Sequence, residues 1–300
     1  MERVPTEVLS DALSEAIGGR RVRSALFTTY SFDPAFFELN ALPLLFDRAF
    51  SQAEAVAAVQ LEDALRDVDE IAVVYDRAAL SQDAQPARLD VRRVDVRCPT
   101  GAFHPKVVLL LVDEPEDPET GEVHQALVVG VLSANLTRAG WWENVEAAHF
   151  AEIADRERTR RHYEPYRRDV LALLRRIESL LGDDDEIAAL GTIRAFLRER
   201  TVRRQPQRAS STTRWWPRIW TGQESFPAFL ASLHLEHWSL NLEVISPFFD
   251  AQDHGVLQEV IAATQPVAVR VFLPTDADGT ALVSPEQYEA IGEVATWSVL

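Results

Sequence analysis

The sequence is short of cysteine and of long apolar runs, and each shortage excludes a class of protein. Its 300 residues include one cysteine, Cys98, which excludes an intramolecular disulfide framework and a cysteine-rich zinc site. No apolar run approaches the roughly 18 residues that a membrane-spanning helix needs. The first residues also lack the basic and apolar regions of a secretory signal peptide. We therefore expect a cytoplasmic protein that does not enter a membrane.

Lysine is the scarcest charged residue, because Lys106 is the only lysine among 30 basic residues. The 47 acidic residues give a formal net charge of -17 at pH 7, which argues against nonspecific coating of nucleic acid but not against a local basic groove. A lysine ammonium is a compact point charge, whereas a guanidinium is a planar fork. The retained lysine therefore indicates a place where a small cation is needed, such as beside a phosphate.

A histidine stands next to this lysine. His104 lies two residues before Lys106, and the apolar run 107–112 that follows predicts a β-strand. Alternate residues of a strand project from the same face, so we expect the two side chains to lie together. The pair is the first candidate for chemistry.

Further polar residues follow a second predicted strand. The apolar run 126–131 returns as a partner strand and leads to Ser133 and Asn135. The amide of Asn135 can donate to an anionic oxygen. The carboxylate of Glu146 can hold one ring nitrogen of His104 and leave the other free to attack.

The stretch 103–150 resembles the phospholipase D superfamily of phosphodiesterases, whose signature is H-x-K, then S-x-N, then an acidic or amide residue. The matching residues are His104, Lys106, Ser133, Asn135 and Glu146. The aspartate that usually follows the lysine by five residues is replaced by Leu111. This departure looks like tyrosyl-DNA phosphodiesterase and its relatives, and the segment also resembles bacterial phospholipase D-like nucleases.

The resemblance implies a phosphodiesterase that needs neither a metal nor a cofactor. By resemblance His104 would be the nucleophile and would form a covalent phosphohistidine. Lys106 and Asn135 would bind the non-bridging oxygens, Glu146 would fix the imidazole tautomer, and Ser133 would support the turn. The histidine that protonates the leaving oxygen would come from a second H-x-K motif.

Strands that alternate with helices predict an α/β protein, and with the resemblance a mixed sheet flanked by helices. We expect a first phospholipase D-like domain at 1–152, an Arg-rich helical segment and linker at 153–225, and the start of a second copy at 226–300. By the spacing of the first copy, the second motif would lie beyond residue 300. The chain would then be part of a longer two-motif protein, or a single-motif protein whose site is completed by a homodimer.

Guanidinium and indole groups alternate at Arg214, Trp215, Trp216 and Arg218. This pattern suits stacking on bases and contact with a nucleic-acid backbone, and it equally suits a linker whose tryptophans wedge between two halves. The expected function is a nuclease or a DNA-end-processing enzyme with nucleic acid as its partner. The alternatives are a phospholipid hydrolase or phosphatidyl transferase, and a catalytically inactive nucleic-acid-binding module.

Overall fold

The computed structural model describes residues 8–80, 88–155, 164–182, 185–201, 217–246, 249 and 255–299. The chain divides into two compact units, with the boundary between Ile219 and Trp220. The helices and strands are α1 Leu9–Ile17, β1 Arg21–Thr29, α2 Pro34–Phe36, α3 Glu54–Leu65, β2 Glu70–Asp76, β3 Arg92–Val96, β4 Val107–Asp113, β5 Gln125–Leu132, β6 Ala148–Ala154, α4 Glu164–Glu178, α5 Ala188–Ala195, α6 Phe226–Ser232, β7 Asn241–Ile245, α7 Gly255–Thr264, β8 Ala268–Phe272, α8 Pro285–Gly292 and β9 Thr296–Ser298. Short π-helical turns lie at Phe37–Ala41, Ala139–Glu143 and Phe196–Arg200, and 3-10 turns at Leu42–Leu45, Arg77–Ala79 and Leu235–His237.

The first unit contains a six-stranded mixed sheet in the order β3-β2-β1-β4-β5-β6. The pairs β1–β2 and β2–β3 are parallel, and β1–β4, β4–β5 and β5–β6 are antiparallel. Helices cover both faces: α1 packs on one face, and α4 and α5 pack on the other. The predicted α/β fold with a mixed sheet flanked by helices is confirmed.

Burial on both faces explains the continuous apolar sequence of β4. Val108, Leu110 and Val112 point into the core under α1, and the alternate residues point into the core under α4 and α5. A strand covered on both sides has no polar face, so its sequence does not alternate. Leu111 is one of the alternate residues, so the position that usually carries an aspartate is part of the core.

The sheet topology brings the motif segments to one edge. Val107 at the start of β4 pairs with Val131 near the end of β5, and Leu132 pairs with Ala148 at the start of β6. The ends of β1 and β2 reach the same edge, since Thr28 pairs with Val107 and Thr29 pairs with Tyr75. Residues distant in sequence therefore surround one place on the surface.

The second unit contains a three-stranded parallel sheet in the order β7-β8-β9. Helix α7 joins β7 to β8, and α8 joins β8 to β9. The parallel strands β1, β2 and β3 follow one another in the same chain order in the first unit. The second, incomplete copy of the fold stays a prediction, and so does the domain division at 152 and 225; α4 and α5, from the predicted linker region, pack against the first sheet.

None of the helices within the described ranges is both long enough and apolar enough to cross a bilayer.

Candidate active site

His104 and Lys106 lie in a segment without regular secondary structure, directly before β4. Pro105 stands between them, and a proline has no N–H to donate to a sheet ladder, so pairing begins at Val107. The side chains nevertheless meet: Lys106 Nζ lies 3.0 Å from His104 Nδ1 and 3.2 Å from Nε2. The two side chains therefore lie together as expected, although both residues precede the strand.

Burial and charge adjust both groups. Lys106 is only 8% exposed, and the loss of water lowers the pKa of its ammonium from 10.5 to about 8. Partial burial lowers the pKa of the His104 imidazole, and the positive charge of Lys106 lowers it further. A neutral imidazole, which keeps a lone pair for attack, is thus favoured beside a lysine that is still mostly protonated near pH 7.

Asn135 is held by β1. Its Oδ1 accepts hydrogen bonds from Ser31 N at 3.1 Å and from Thr29 Oγ1 at 3.3 Å. These bonds use the carbonyl of the amide, so the NH2 group is the part that can donate to an anionic ligand. A close approach of Gly140 supports this arrangement, because a Cβ there would lie 2.6 Å from the backbone oxygen of Asn135.

Ser133 and Glu146 form a second pair at the same edge. Ser133 Oγ donates to Glu146 Oε2 and accepts from Ala147 N at 2.8 Å. Asn144 Nδ2 donates to Glu146 Oε1 at 3.3 Å, and the charge of Glu146 favours the protonated form of Lys106, opposing the lowering of its pKa. The expected contact of Glu146 with the imidazole of His104 is not among the hydrogen bonds of the described residues, which place this carboxylate on Ser133.

Two residues that sequence reasoning missed position His104. The buried Asp76, at the end of β2, accepts from Phe103 N at 2.7 Å and from Ala78 N at 2.8 Å. Its charge acts to raise the pKa of His104, against the larger lowering effects. Tyr30, at the end of β1, packs against the imidazole with 4.9 Å between ring centroids. Asp76 ends β2 and Tyr30 directly follows β1, and nothing in the sequence around them marks them as partners of His104.

The fold has relatives among solved structures. A mutant form of yeast tyrosyl-DNA phosphodiesterase matches 95% of this chain at a TM-score of 0.50 and 10% sequence identity, and the match covers 64% of that chain. The chain has the phospholipase D superfamily fold. Further matches are NucT from Helicobacter pylori, at 13% identity, 47% of this chain, 75% of that chain and a TM-score of 0.28, and Nuc, a phospholipase D family member from Salmonella typhimurium, at 19%, 46%, 71% and 0.25. No family model and no curated protein matches the sequence.

The predicted substrate-binding segment lies only partly within the described residues. Arg214, Trp215 and Trp216 lie outside the described residues. Arg218 donates to both carboxylate oxygens of Asp169 on α4, at 2.6 and 3.2 Å. Its guanidinium therefore forms an ion pair within the first unit. A role in binding nucleic acid stays a prediction for all four residues.

The described residues include no group of three or more His, Cys, Asp or Glu side chains that could hold a metal ion.

Proposed function

We propose that the protein is a metal-independent phosphodiesterase that cleaves nucleic acid through a covalent phosphohistidine at His104. The observation that carries the proposal is the meeting of His104 and the single lysine, 3.0 Å apart, at the sheet edge that also holds Asn135. A nucleophile, a cation and an amide donor are the groups needed to attack a phosphate anion.

In the first step a lone pair of the His104 imidazole attacks phosphorus. A P–N bond forms, and the P–O bond to the leaving strand breaks. In the second step a water oxygen attacks the same phosphorus and displaces the imidazole, which restores neutral His104 once the water proton is lost. The lowered pKa of His104 favours this route, because only the neutral ring can attack.

Lys106 and Asn135 would stabilise the charge that builds up on the phosphoryl oxygens. Lys106 is buried, and a cation in such surroundings acts more strongly on an anion than it would in water. Its hydrogen bond to the backbone oxygen of His104, at 3.3 Å, ties it to the nucleophile. Removal of either group should therefore lower the rate of the chemical step.

The leaving oxygen needs a proton from a general acid. By resemblance that acid is the histidine of a second H-x-K motif, and the sequence contains only one lysine. We propose that another copy of the chain supplies it. Nucleic acid as the substrate is supported by the exposed guanidinium of Arg138 and the exposed indole of Trp142, which follow Asn135 in the chain. The yeast protein of similar fold is named for a phosphodiester of DNA.

The test is cleavage of end-labelled single- and double-stranded DNA and RNA in excess EDTA, resolved on denaturing gels. Wild type should cleave at least one of these strands, whereas His104→Ala and Lys106→Ala should lose at least a hundredfold in rate. Acid-labile label retained on wild-type protein after a rapid quench would support the phosphohistidine.

The matched control is His237→Ala, which removes an exposed histidine of the second unit and should cleave at the wild-type rate. Circular dichroism and thermal melting would establish that each variant is folded. Cleavage by folded His104→Ala at the wild-type rate would refute the assignment of the nucleophile. Loss of wild-type cleavage in EDTA would refute metal independence.

A further inference from the structure

An exposed aromatic and cationic layer lies beside the candidate active site. Trp142 is 46% exposed, and the guanidinium carbon of Arg138 lies 5.5 Å from the centroid of its ring. The Arg138 side chain is 70% exposed, so the guanidinium covers the indole on the solvent side. We call this stacked pair, Arg138 and Trp142, the layer. The buried ring of Phe36 supports the indole edge-to-face, with 5.3 Å between centroids.

This layer is held in place before any ligand binds. Arg138 Nε donates to Glu143 Oε1 at 3.0 Å, which fixes the plane of the guanidinium. Arg138 directly precedes the π-helical turn Ala139–Glu143, which contains Glu143, Trp142 and the buried Trp141. A ligand that stacks on a group already fixed loses less conformational entropy on binding.

The layer is also close to the groups that would bind phosphate. Arg138 lies three residues after Asn135, and Gly140, within the turn, touches the backbone of Asn135. Trp142 and Glu146 line one groove of about 670 Å³, and the charge of Glu146 acts on Lys106. A group bound on the layer would therefore lie next to the reacting phosphodiester.

The chemistry of the groove distinguishes between parts of a substrate. Glu15 and Glu146 line it, so it repels a phosphate backbone. A nucleobase is a flat neutral ring, and it can stack on a guanidinium or an indole whatever the nucleotide sequence. An acyl chain would have to strip water from the exposed Arg138 without replacing its hydrogen bonds. A base in a duplex has both faces covered by its neighbours.

We propose that Arg138 and Trp142 form a stacking subsite for an unpaired nucleobase next to the scissile phosphate, so that the substrate is single-stranded. This inference rests on the proposed phosphodiesterase function and specifies its substrate class. The base stacks on the guanidinium of Arg138, with Trp142 beneath it.

The test is binding of a fluorescein-labelled oligothymidylate and of the same strand with one central abasic site, measured by anisotropy with His104→Ala protein so that no strand is cleaved. The intact strand should bind about tenfold more tightly. Trp142→Ala and Arg138→Ala should reduce that ratio to about one, and Trp142→Phe, which keeps an aromatic ring, should retain most of it.

The matched control is Trp220→Ala, since Trp220 is 45% exposed but lies in the second unit. This variant should keep the full ratio. Equal affinity of the parent protein for both strands would overturn the subsite, as would a loss of the ratio in Trp220→Ala but not in Trp142→Ala. Binding to phosphatidylcholine vesicles that Trp142→Ala abolishes would overturn it in favour of an acyl ligand.

Cleavage is measured separately with wild-type protein. A wild type that binds the intact strand preferentially but cleaves nothing refutes the phosphodiesterase function and retains the base-binding surface. A wild type that cleaves both strands equally well retains the function and refutes the subsite.

Discussion

At the scale of single residues, the pKa values of His104 and Lys106 predict how activity depends on pH. We expect a bell-shaped profile of kcat/KM. Its acidic limb should lie below the ordinary histidine value of 6.5, because the pKa of His104 is lowered and only the neutral ring attacks. Its alkaline limb should lie near pH 8, where buried Lys106 loses its proton and its attraction for phosphate.

Two comparisons test this assignment of the limbs. A bound phosphate anion stabilises the ammonium, so the alkaline limb of kcat should lie at higher pH than that of kcat/KM. Any activity left in Lys106→Arg should lack the alkaline limb, because a guanidinium stays charged. A wild-type profile that is flat from pH 7 to 10 would contradict the role of Lys106 as the phosphate-binding cation.

Asp76 offers an independent test of how His104 is positioned. Its carboxylate holds Phe103 N and its charge raises the pKa of His104. Asp76→Asn should therefore lower the His104 pKa further and move the acidic limb of kcat/KM to lower pH, while the alkaline limb stays in place. Titration of the histidine ring protons by NMR measures this pKa directly.

A buried carboxylate at the opposite end of the sheet provides the control. Asp155 follows β6, where its backbone N–H bonds to Gln125 at the start of β5. Asp155→Asn should lower thermal stability without changing the pKa of His104. If both variants leave that pKa unchanged, Asp76 is structural only.

At the scale of secondary-structure elements, the local sequence was sufficient to predict a strand wherever the strand is a continuous apolar run. The apolar runs 107–112 and 126–131 predicted β4 and β5, which the structure confirms, because strands buried on both faces consist of consecutive apolar residues. Because β5 runs antiparallel to β4, its end brings the S-x-N turn beside Lys106. The candidate residues of the site followed from the same patterns and the motif.

Contacts between distant segments could not be predicted in this way. Asp76 contacts Phe103 across 27 residues, and nothing in either segment indicates the other. The link between Glu146 and Ser133 depends on how the loop after the π-helical turn folds back. Pro105 was a local signal that the strand begins only after Lys106.

Gly140 brings the π-helical turn Ala139–Glu143 against the backbone of Asn135, and substitution of this glycine tests whether the contact matters. A Cβ at this position would lie 2.6 Å from Asn135 O and 2.9 Å from Asn135 N, which are backbone atoms that cannot rotate away. Gly140→Ala should lower stability by about 1–3 kcal/mol, as overpacking does elsewhere. It should also reduce kcat/KM, because Asn135 must shift. Chemical denaturation and initial rates measure the two effects.

Gly191 in α5 is the matched control, since a Cβ there meets nothing within 4 Å. Gly191→Ala should raise stability by about 0.5–1 kcal/mol, because alanine loses less entropy than glycine in a helix. It should leave kcat/KM unchanged. A Gly140→Ala protein with full activity and stability would show that the turn can move away from Asn135 at no cost.

At the scale of the whole molecule, the single H-x-K motif raises the question of where a second set of groups comes from. The sequence has one lysine and therefore one H-x-K motif. The parallel sheet β7-β8-β9 has the same strand order as β1, β2 and β3 but carries no such motif. In a two-fold homodimer each copy would place its His104 and Lys106 opposite those of the other. One phosphate would then be bound by two lysines. One neutral histidine would be the nucleophile, and the other, whose protonated form the bound phosphate anion stabilises, would be the acid.

A dimeric site makes activity depend on association. With wild type held at a fixed low concentration, addition of a tenfold excess of folded Lys106→Ala should suppress cleavage, because most wild-type chains then pair with a partner that lacks the second lysine. The same mass of serum albumin should have no effect. Specific activity of wild type alone should rise with protein concentration until dimers saturate, in parallel with the mass measured by analytical ultracentrifugation. Cleavage that is unaffected by the excess variant and proportional to protein concentration would mean that one chain completes the reaction by itself, with a general acid other than a second His104.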